Sequence, residues 1–360
     1  MTFRTHETKF ERILVFRLSS LGDILLATSF LENIPEKTQV DWVVRSEFEF
    51  ALKGHPKIRN LIAFSKKDGL FGWIKLVNGL SKHKYKARVD LHRNLRTRFA
   101  FAFFQIFDLI HFNLIPHFGI SKERVRTLFY FIFKRFTPKI FLPTPYWMRF
   151  GKVGLRLTPY LARHTQPEKL LPPSYLPVLA TSGHDEKKVL AEYDLFPGKY
   201  FAVMPAASFK TKEWGTSHYR ELIEKKFKGL TPVLLGREND QACIQLKNEL
   251  RKARIFFKDA LTEPDFKKTA ILLKYAEFYL GSDTGLAHLA EAVGTRSYVI
   301  FGPTRPELGF GPWKKESKNI YLPLACSPCS KDGKFCYRFF SPYACLRKLN
   351  PSEVGRKLHT

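Results

Sequence analysis

The residues with the plainest chemical purpose in this sequence are Gly281-Ser282-Asp283-Thr284-Gly285 and the His288 that follows them. An apolar run ends there and helical spacing begins. Free amides and the dipole at a helix start favour an anion such as a diphosphate. Gly285 lets the backbone approach closely, Thr284 offers a hydroxyl, and His288 can donate from the first turn. An ordinary Asp/Thr cap with a surface histidine would share part of this pattern. The Phe301-Gly302-Pro303-Thr304 turn after the next strand argues for a built site instead. PAASFKTKEW (205–214) supplies Ser208, Lys210, Thr211 and Lys212 at another strand end. A lysine there can neutralise a leaving diphosphate, although solvated basic loops are common. LLGREND (234–240) ends a third strand with glycine, and its acids Glu238 and Asp240 could hold ribose hydroxyls.

Such loops need an alternating β/α frame to hold them. Residues 200–206, 231–236 and 297–304 read as strands with loops, 217–227 as a capped helix, and 277–294 as strand, loop and helix. A first series precedes it, with strands at 13–18, 40–45 and 87–91. Its opening stretch, ILVFRLSSLGDILLATSFLENI (13–34), is again strand, glycine loop and helix. Here an acid, Asp23, follows Gly22, which is the wrong charge for an anion cradle. From residue types alone, Asp23 is a helix cap or a group turned to another task. TQPEKLLPPSYLPVL (165–179) is Pro-rich and aperiodic, a linker signature. Two α/β halves so joined imply a cleft, with ligands at the C-terminal ends of parallel strands.

At 360 residues, 44% of them hydrophobic, the chain can bury one large core or two ordinary ones. Its 60 Lys and Arg against 33 Asp and Glu leave a net charge of +27, which suits nucleic acid, an anionic membrane face or an acidic substrate. Between residues 99 and 150, Phe, Tyr and Trp interleave with Arg and Lys. That texture fits core helices with solvated basic edges, or a membrane-facing surface. No secretory signal is read, and FAFAFFQIF (99–107) is too short to span a bilayer, so a reducing cytoplasm is expected. Nucleic-acid binding is disfavoured: no stacking motif or OB-type strand spacing is present, and it leaves the Asp283–His288 loop unexplained. Four cysteines are spaced Cys326-x2-Cys329-x6-Cys336-x8-Cys345. They could hold a structural zinc, stay reduced thiols or form disulfides. Cys243 reads as an ordinary helix residue.

Together, RLSSLGDILLATSFLENI, VDLHRNLRTR (89–98), PAASFKTKEW, GSDTGLAHLAEAVGTRSYVIFGPT and the closing CSPC…C…CLRKLNPSEV resemble the ADP-heptose–lipopolysaccharide heptosyltransferases of glycosyltransferase family 9. The resemblance runs over nearly the whole chain. It implies an α/β GT-B fold of two Rossmann-like domains facing across a cleft: an acceptor domain over 1–168, a nucleotide-sugar domain over 169–345, and a C-terminal helix over 346–360 packing back on the first. It implies inverting, metal-independent transfer of heptose from ADP-heptose to the lipopolysaccharide inner core, with no cofactor needed for catalysis, or the same fold acting on a different nucleotide sugar or acceptor. Asp23 then becomes the general base. Ser208, Lys212, Asp240, Asp283, Thr284, Gly285 and His288 become donor contacts. Ser20, Gly22, His92, Arg93 and Arg96 become acceptor contacts. The implied partners are the nucleotide sugar, an anionic lipopolysaccharide precursor and the inner face of the cytoplasmic membrane. Two departures stand out. The family's Pro-Gly is Pro205-Ala206 here, which requires negative φ at Ala206. The usual DLQGN-like segment reads DLHRN, and an arginine there suits a carboxylate or phosphate on the acceptor.

Overall fold

The computed structural model describes residues 11–113, 115–161, 170–173, 183–261 and 265–358. The expected boundary at 168/169 and most of the Pro-rich stretch at 165–179 lie outside them. The chain forms two compact units, Met1–Ser121 with Trp147–Val178, and Lys122–Tyr146 with Leu179–Thr360.

The first unit runs β1 (Glu11–Phe16), α1 (Leu21–Glu32), β2 (Thr38–Arg45), β3 (Ile58–Phe64), α2 (Gly69–Ser81), β4 (Ala87–Asp90), α3 (Leu95–Ile110) and β5 (His117–Gly119). The sheet is parallel, in the order β3-β2-β1-β4-β5. Ile13, Leu14, Val15 and Phe16 are all fully buried, the continuous apolar run of a parallel strand covered on both faces. Leu14, Phe16 and Val43 pack with Trp73 of α2 and Phe101 and Phe104 of α3.

Two helices follow, α4 (Arg124–Phe133) and α5 (Tyr146–Leu161). Gly154 of α5 sits against the end of α1, where a Cβ would meet the Phe30 carbonyl at 2.8 Å and the Asn33 carbonyl at 2.9 Å. Thr158 secures the contact by donating to Asn33 O at 3.1 Å.

The second unit continues with α6 (Gly183–Glu192), β6 (Tyr200–Met204), α7 (Thr216–Lys226), β7 (Thr231–Gly236), α8 (Gln241–Lys252), β8 (Lys258–Leu261), α9 (Phe266–Lys274), β9 (Tyr279–Ser282), α10 (Gly285–Ala292), β10 (Ser297–Ile300), β11 (Lys318–Ile320), α11 (Ala344–Arg347) and α12 (Pro351–Leu358). Its sheet is also parallel, in the order β11-β10-β9-β6-β7-β8.

In both sheets the strand order reverses once, between β1 and β4 and between β6 and β9. Open parallel sheets bind ligands beyond the strand C-termini at such switch points.

One detail differs from the sequence reading. Residues 122–146 precede the expected boundary yet pack with the second unit, where Tyr130 Oη donates to Glu307 and the Tyr146 ring stacks on Phe310 at 4.5 Å. The closing helix packs within the second unit. Val354 and Leu358 of α12 are buried in the second unit's core, and the Tyr298 hydroxyl donates to Leu358 O at 3.1 Å. The helix lies beside α7, where a Cβ on Gly355 would meet Leu222 at 3.3 Å. No helix among the described residues is long and apolar enough to cross a membrane.

Candidate functional site

In the first unit the site residues gather beyond β1 and β4. Ser20 caps α1, and Asp23 is the third residue of that helix. The Asp23 carboxylate accepts the Ser20 amide at 3.3 Å and the Ser20 hydroxyl at 2.9 Å. The same oxygen lies 2.7 Å from a guanidinium nitrogen of Arg17. The reciprocal Ser20–Asp23 arrangement is a capping box. The helix-cap reading of Asp23 is therefore part of its structure, while 23% of its side chain still reaches solvent. Gly22 is buried inside α1.

Arg17 is the residue that sequence reasoning missed. It is almost buried, donates to the Leu91 carbonyl at 2.8 Å and lies over the Phe150 ring. Its one signal was a cation inside an otherwise apolar strand.

At the end of β4, Asp90 organises the neighbouring loop. Its carboxylate accepts the amides of His92 at 2.9 Å and Arg93 at 2.7 Å, and the Thr97 hydroxyl at 2.9 Å. Burial pushes this carboxyl up, against those three donors. Arg93 has a left-handed backbone (φ 51) and donates to the Ile120 carbonyl at 2.8 Å. His92 and Arg93 thus share one turn at the switch point. Arg96 goes elsewhere: it is exposed and lies over the rings of Phe64 and Trp73.

In the second unit, the loops after β6 and β9 meet. Lys212 Nζ lies 2.8 Å from the Asp283 carboxylate and donates to the Asp283 carbonyl at 2.6 Å. Thr304 of the Phe301–Thr304 turn donates to the same carboxylate at 3.0 Å. Thr284 caps α10, its hydroxyl 3.3 Å from that of Tyr279. Gly285 opens the helix. His288 is buried with its ring stacked on Trp313, centroids 5.9 Å apart and planes 11° apart. Glu291, one turn further, accepts the amides of Trp313 and Lys314, both at 2.9 Å. Burial pushes its carboxyl up to about 7.

Ser208 is exposed on the β6 loop. Ala206 is not among the residues with positive φ, as its replacement of glycine requires. Asp240 caps α8 and closes its own turn, accepting the Arg237 amide at 3.0 Å. Glu213, which the sequence reading passed over, accepts the Ala207 amide at 3.4 Å. Its carboxyl is pushed up by burial and then by the nearby Asp240 charge.

The zinc reading of the cysteine cluster is not supported. All five cysteines are free thiols, and no group of three or more His, Cys, Asp or Glu among the described residues is placed to hold a metal. Burial pushes Cys345 up to about 12 and raises Cys329, with the neighbouring sulfurs adding to both. The segment instead buttresses the Phe301–Thr304 turn: Ser327 donates to Gly302 O at 3.0 Å, and the Cys329 amide to Pro303 O at 2.8 Å.

Known proteins resemble this chain. A lipooligosaccharide heptosyltransferase 2 of Campylobacter jejuni is 26% identical over 161 residues, 43% of this chain and 49% of the relative, so the match spans about half of that relative's length. A lipopolysaccharide heptosyltransferase 1 of Pseudomonas aeruginosa is 24% identical over 96% of this chain and 97% of its own. The structure of Escherichia coli ADP-heptose lipopolysaccharide heptosyltransferase II superposes with a TM-score of 0.68 at 18% identity, covering 97% of each chain. That likeness gives the GT-B fold, two parallel-sheet α/β domains. The profile described as glycosyltransferase family 9 (heptosyltransferase) matches residues 161–337. Over those residues, just under half of the chain, it carries a glycosyltransferase family 9 domain.

Proposed function

We propose that this protein is an inverting, metal-independent glycosyltransferase that moves heptose from ADP-heptose to an anionic acceptor of the lipopolysaccharide inner core, working in the cytoplasm at the inner membrane face. The observation that carries this reading is the cradle around Lys212 and α10. A nearly buried ammonium pairs with Asp283 just before the N-terminus of α10, beyond the switch point of the second sheet, and the first turn of that helix carries a buried histidine. That set suits a diphosphate whose charge grows as it leaves. Asp283 holds Lys212 in place, and Thr284 and His288 supply donors. Ser208 follows β6, and Asp240 follows the neighbouring strand β7.

On the first unit, Asp23 takes the proton of the acceptor hydroxyl as that oxygen bonds to the anomeric carbon. The bond from that carbon to the diphosphate oxygen breaks, and ADP leaves with the electron pair. Displacement from the opposite side inverts the centre. Ser20 and Gly22 shape the loop around the base, and His92 and Arg93 line the acceptor side. The kinship with heptosyltransferases, whose names specify lipopolysaccharide, favours heptose and this acceptor.

The test is a panel of ADP- and UDP-sugars offered to purified protein, with binding and turnover read on de-acylated core acceptors. Selective consumption of ADP-heptose supports the reading. Consumption of another nucleotide sugar removes the heptose assignment, and binding of none removes the reading of the cradle.

A further inference from the structure

The segment between β5 and α5 turns an apolar stripe outward. Val125, Leu128, Ile132, Phe136 and Ile140 are 80, 61, 62, 74 and 72% exposed. Val125, Leu128 and Ile132 share one face of α4 by their helical spacing, and Phe136 and Ile140 follow in the two short turns beyond it. The other side is anchored to the second unit. Tyr130 is buried and donates to Glu307, and Lys134 Nζ donates to the Cys326 carbonyl at 3.1 Å. The ring of Phe129 stacks on Phe141 at 4.7 Å, folding the segment back on itself.

Charge surrounds the stripe with one sign. Residues 122–139 contain six Lys and Arg and one acid, Glu123. That acid is engaged with the Thr144 amide at 2.8 Å. Arg124, Arg126 and Lys139 are exposed. An outward apolar stripe bordered by cations matches the boundary between acyl chains and anionic headgroups. A second copy meeting this face symmetrically would set like charges against each other. Nucleic acid would match the cations, but bases stack on aromatic faces, and four of the five stripe residues are aliphatic.

We propose that residues 122–141 dock the protein on an anionic bilayer, with Val125, Leu128, Ile132, Phe136 and Ile140 at the acyl boundary and Arg124, Arg126 and Lys139 among the lipid phosphates. This deepens the proposed function by giving the membrane-facing reading a definite element. It rests on that reading only for the acceptor being a membrane lipid.

The experiment is co-sedimentation of the full chain with phosphatidylglycerol/phosphatidylcholine vesicles and with phosphatidylcholine alone, without donor or acceptor. Wild type is expected to favour the anionic vesicles by at least about tenfold, an advantage lost in high salt. The Val125→Ser/Leu128→Ser/Ile132→Ser variant is expected to lose about tenfold or more of that binding while keeping its thermal melt. Arg124→Gln/Arg126→Gln/Lys139→Gln is expected to lose the preference for anionic lipid. No vesicle binding by wild type, or full binding by both folded variants, overturns the proposal. A dimer of the wild type that the serine variant converts to monomer also overturns it, because a second copy then covers the stripe. Vesicle binding without consumption of any nucleotide sugar leaves docking standing and removes the donor reading.

Discussion

Arg17 holds Asp23. One guanidinium nitrogen lies 2.7 Å from the carboxylate, and the other donates to the Leu91 carbonyl at 2.8 Å. A side chain just beyond β1 thereby ties the first turn of α1 to the residue just beyond β4, across the switch point of the first sheet. Arg17→Met is expected to free Asp23 to turn away and to lower turnover by about ten- to a hundredfold. The Leu91 carbonyl loses a charged donor as well, so stability should fall by about 2 kcal/mol. Donor affinity should stay unchanged, because the cradle belongs to the other unit. Steady-state kinetics, a denaturant melt and donor titration separate the three effects.

Lys212 and Asp283 form a nearly buried pair, their side chains 11% and 10% exposed. Lys212→Ala leaves the carboxylate without its cation and should cost about 3 kcal/mol. Lys212→Ala/Asp283→Ala removes both charges and should recover part of that stability, since the uncompensated charge is what costs most. Donor binding should be lost in both. Recovery of donor affinity in the double variant would assign the lysine a purely structural role.

Glu291 gives the second unit a pH dependence with a definite sign. Its carboxyl is raised to about 7, chiefly by burial, although the Trp313 and Lys314 amides and the Lys314 charge oppose the shift. The folded state therefore binds a proton that the unfolded chain releases near its ordinary value of 4.5. Stability from this group is fully present below about 4.5 and is lost as pH rises through about 7. The loss is of order 3 kcal/mol. Between pH 6 and 8 the melting temperature should fall in wild type and flatten in Glu291→Gln, which cannot ionise. The glutamine also gives up one acceptor of the two amides, so its melt should start lower. An unchanged slope would mean that Glu291 does not titrate there.

Gly333 has φ +75, and a Cβ there would meet Lys212 Cγ at 2.9 Å and Thr304 Cγ2 at 3.0 Å. Gly333→Ala should cost about 1–2 kcal/mol for the left-handed backbone and displace the Lys212 stem. Weakened donor binding with unchanged acceptor KM is the expected signature, read by titration and kinetics.

The β/α frame was legible because its strands are continuous apolar runs ended by glycine loops. Those same strand ends drew attention to Lys212 and Asp283 as candidate anion contacts, whereas the role of Asp23 came only from the family resemblance. The Lys212–Asp283 pairing was not legible, because parallel strands far apart in the chain become neighbours only through the sheet order. Arg17 was hidden for a related reason: its partners are a backbone carbonyl and a ring from distant elements. Glu291 looks like any helix acid until the loop bearing Trp313 folds over it. Residues 122–146 read as part of the first half because they precede the Pro-rich stretch, and only tertiary contacts assign them to the second. The cysteine spacing resembled a ligand set, yet spacing alone does not aim four sulfurs at one point.

The most direct measurement is ADP release from ADP-heptose with a de-acylated core acceptor, comparing wild type with Asp23→Ala, alongside donor binding to each. The account predicts equal donor affinity and turnover lower by about 10²–10⁴-fold in the variant. Turnover within a few-fold of wild type would contradict it, leaving Asp23 as a helix cap and placing the base elsewhere.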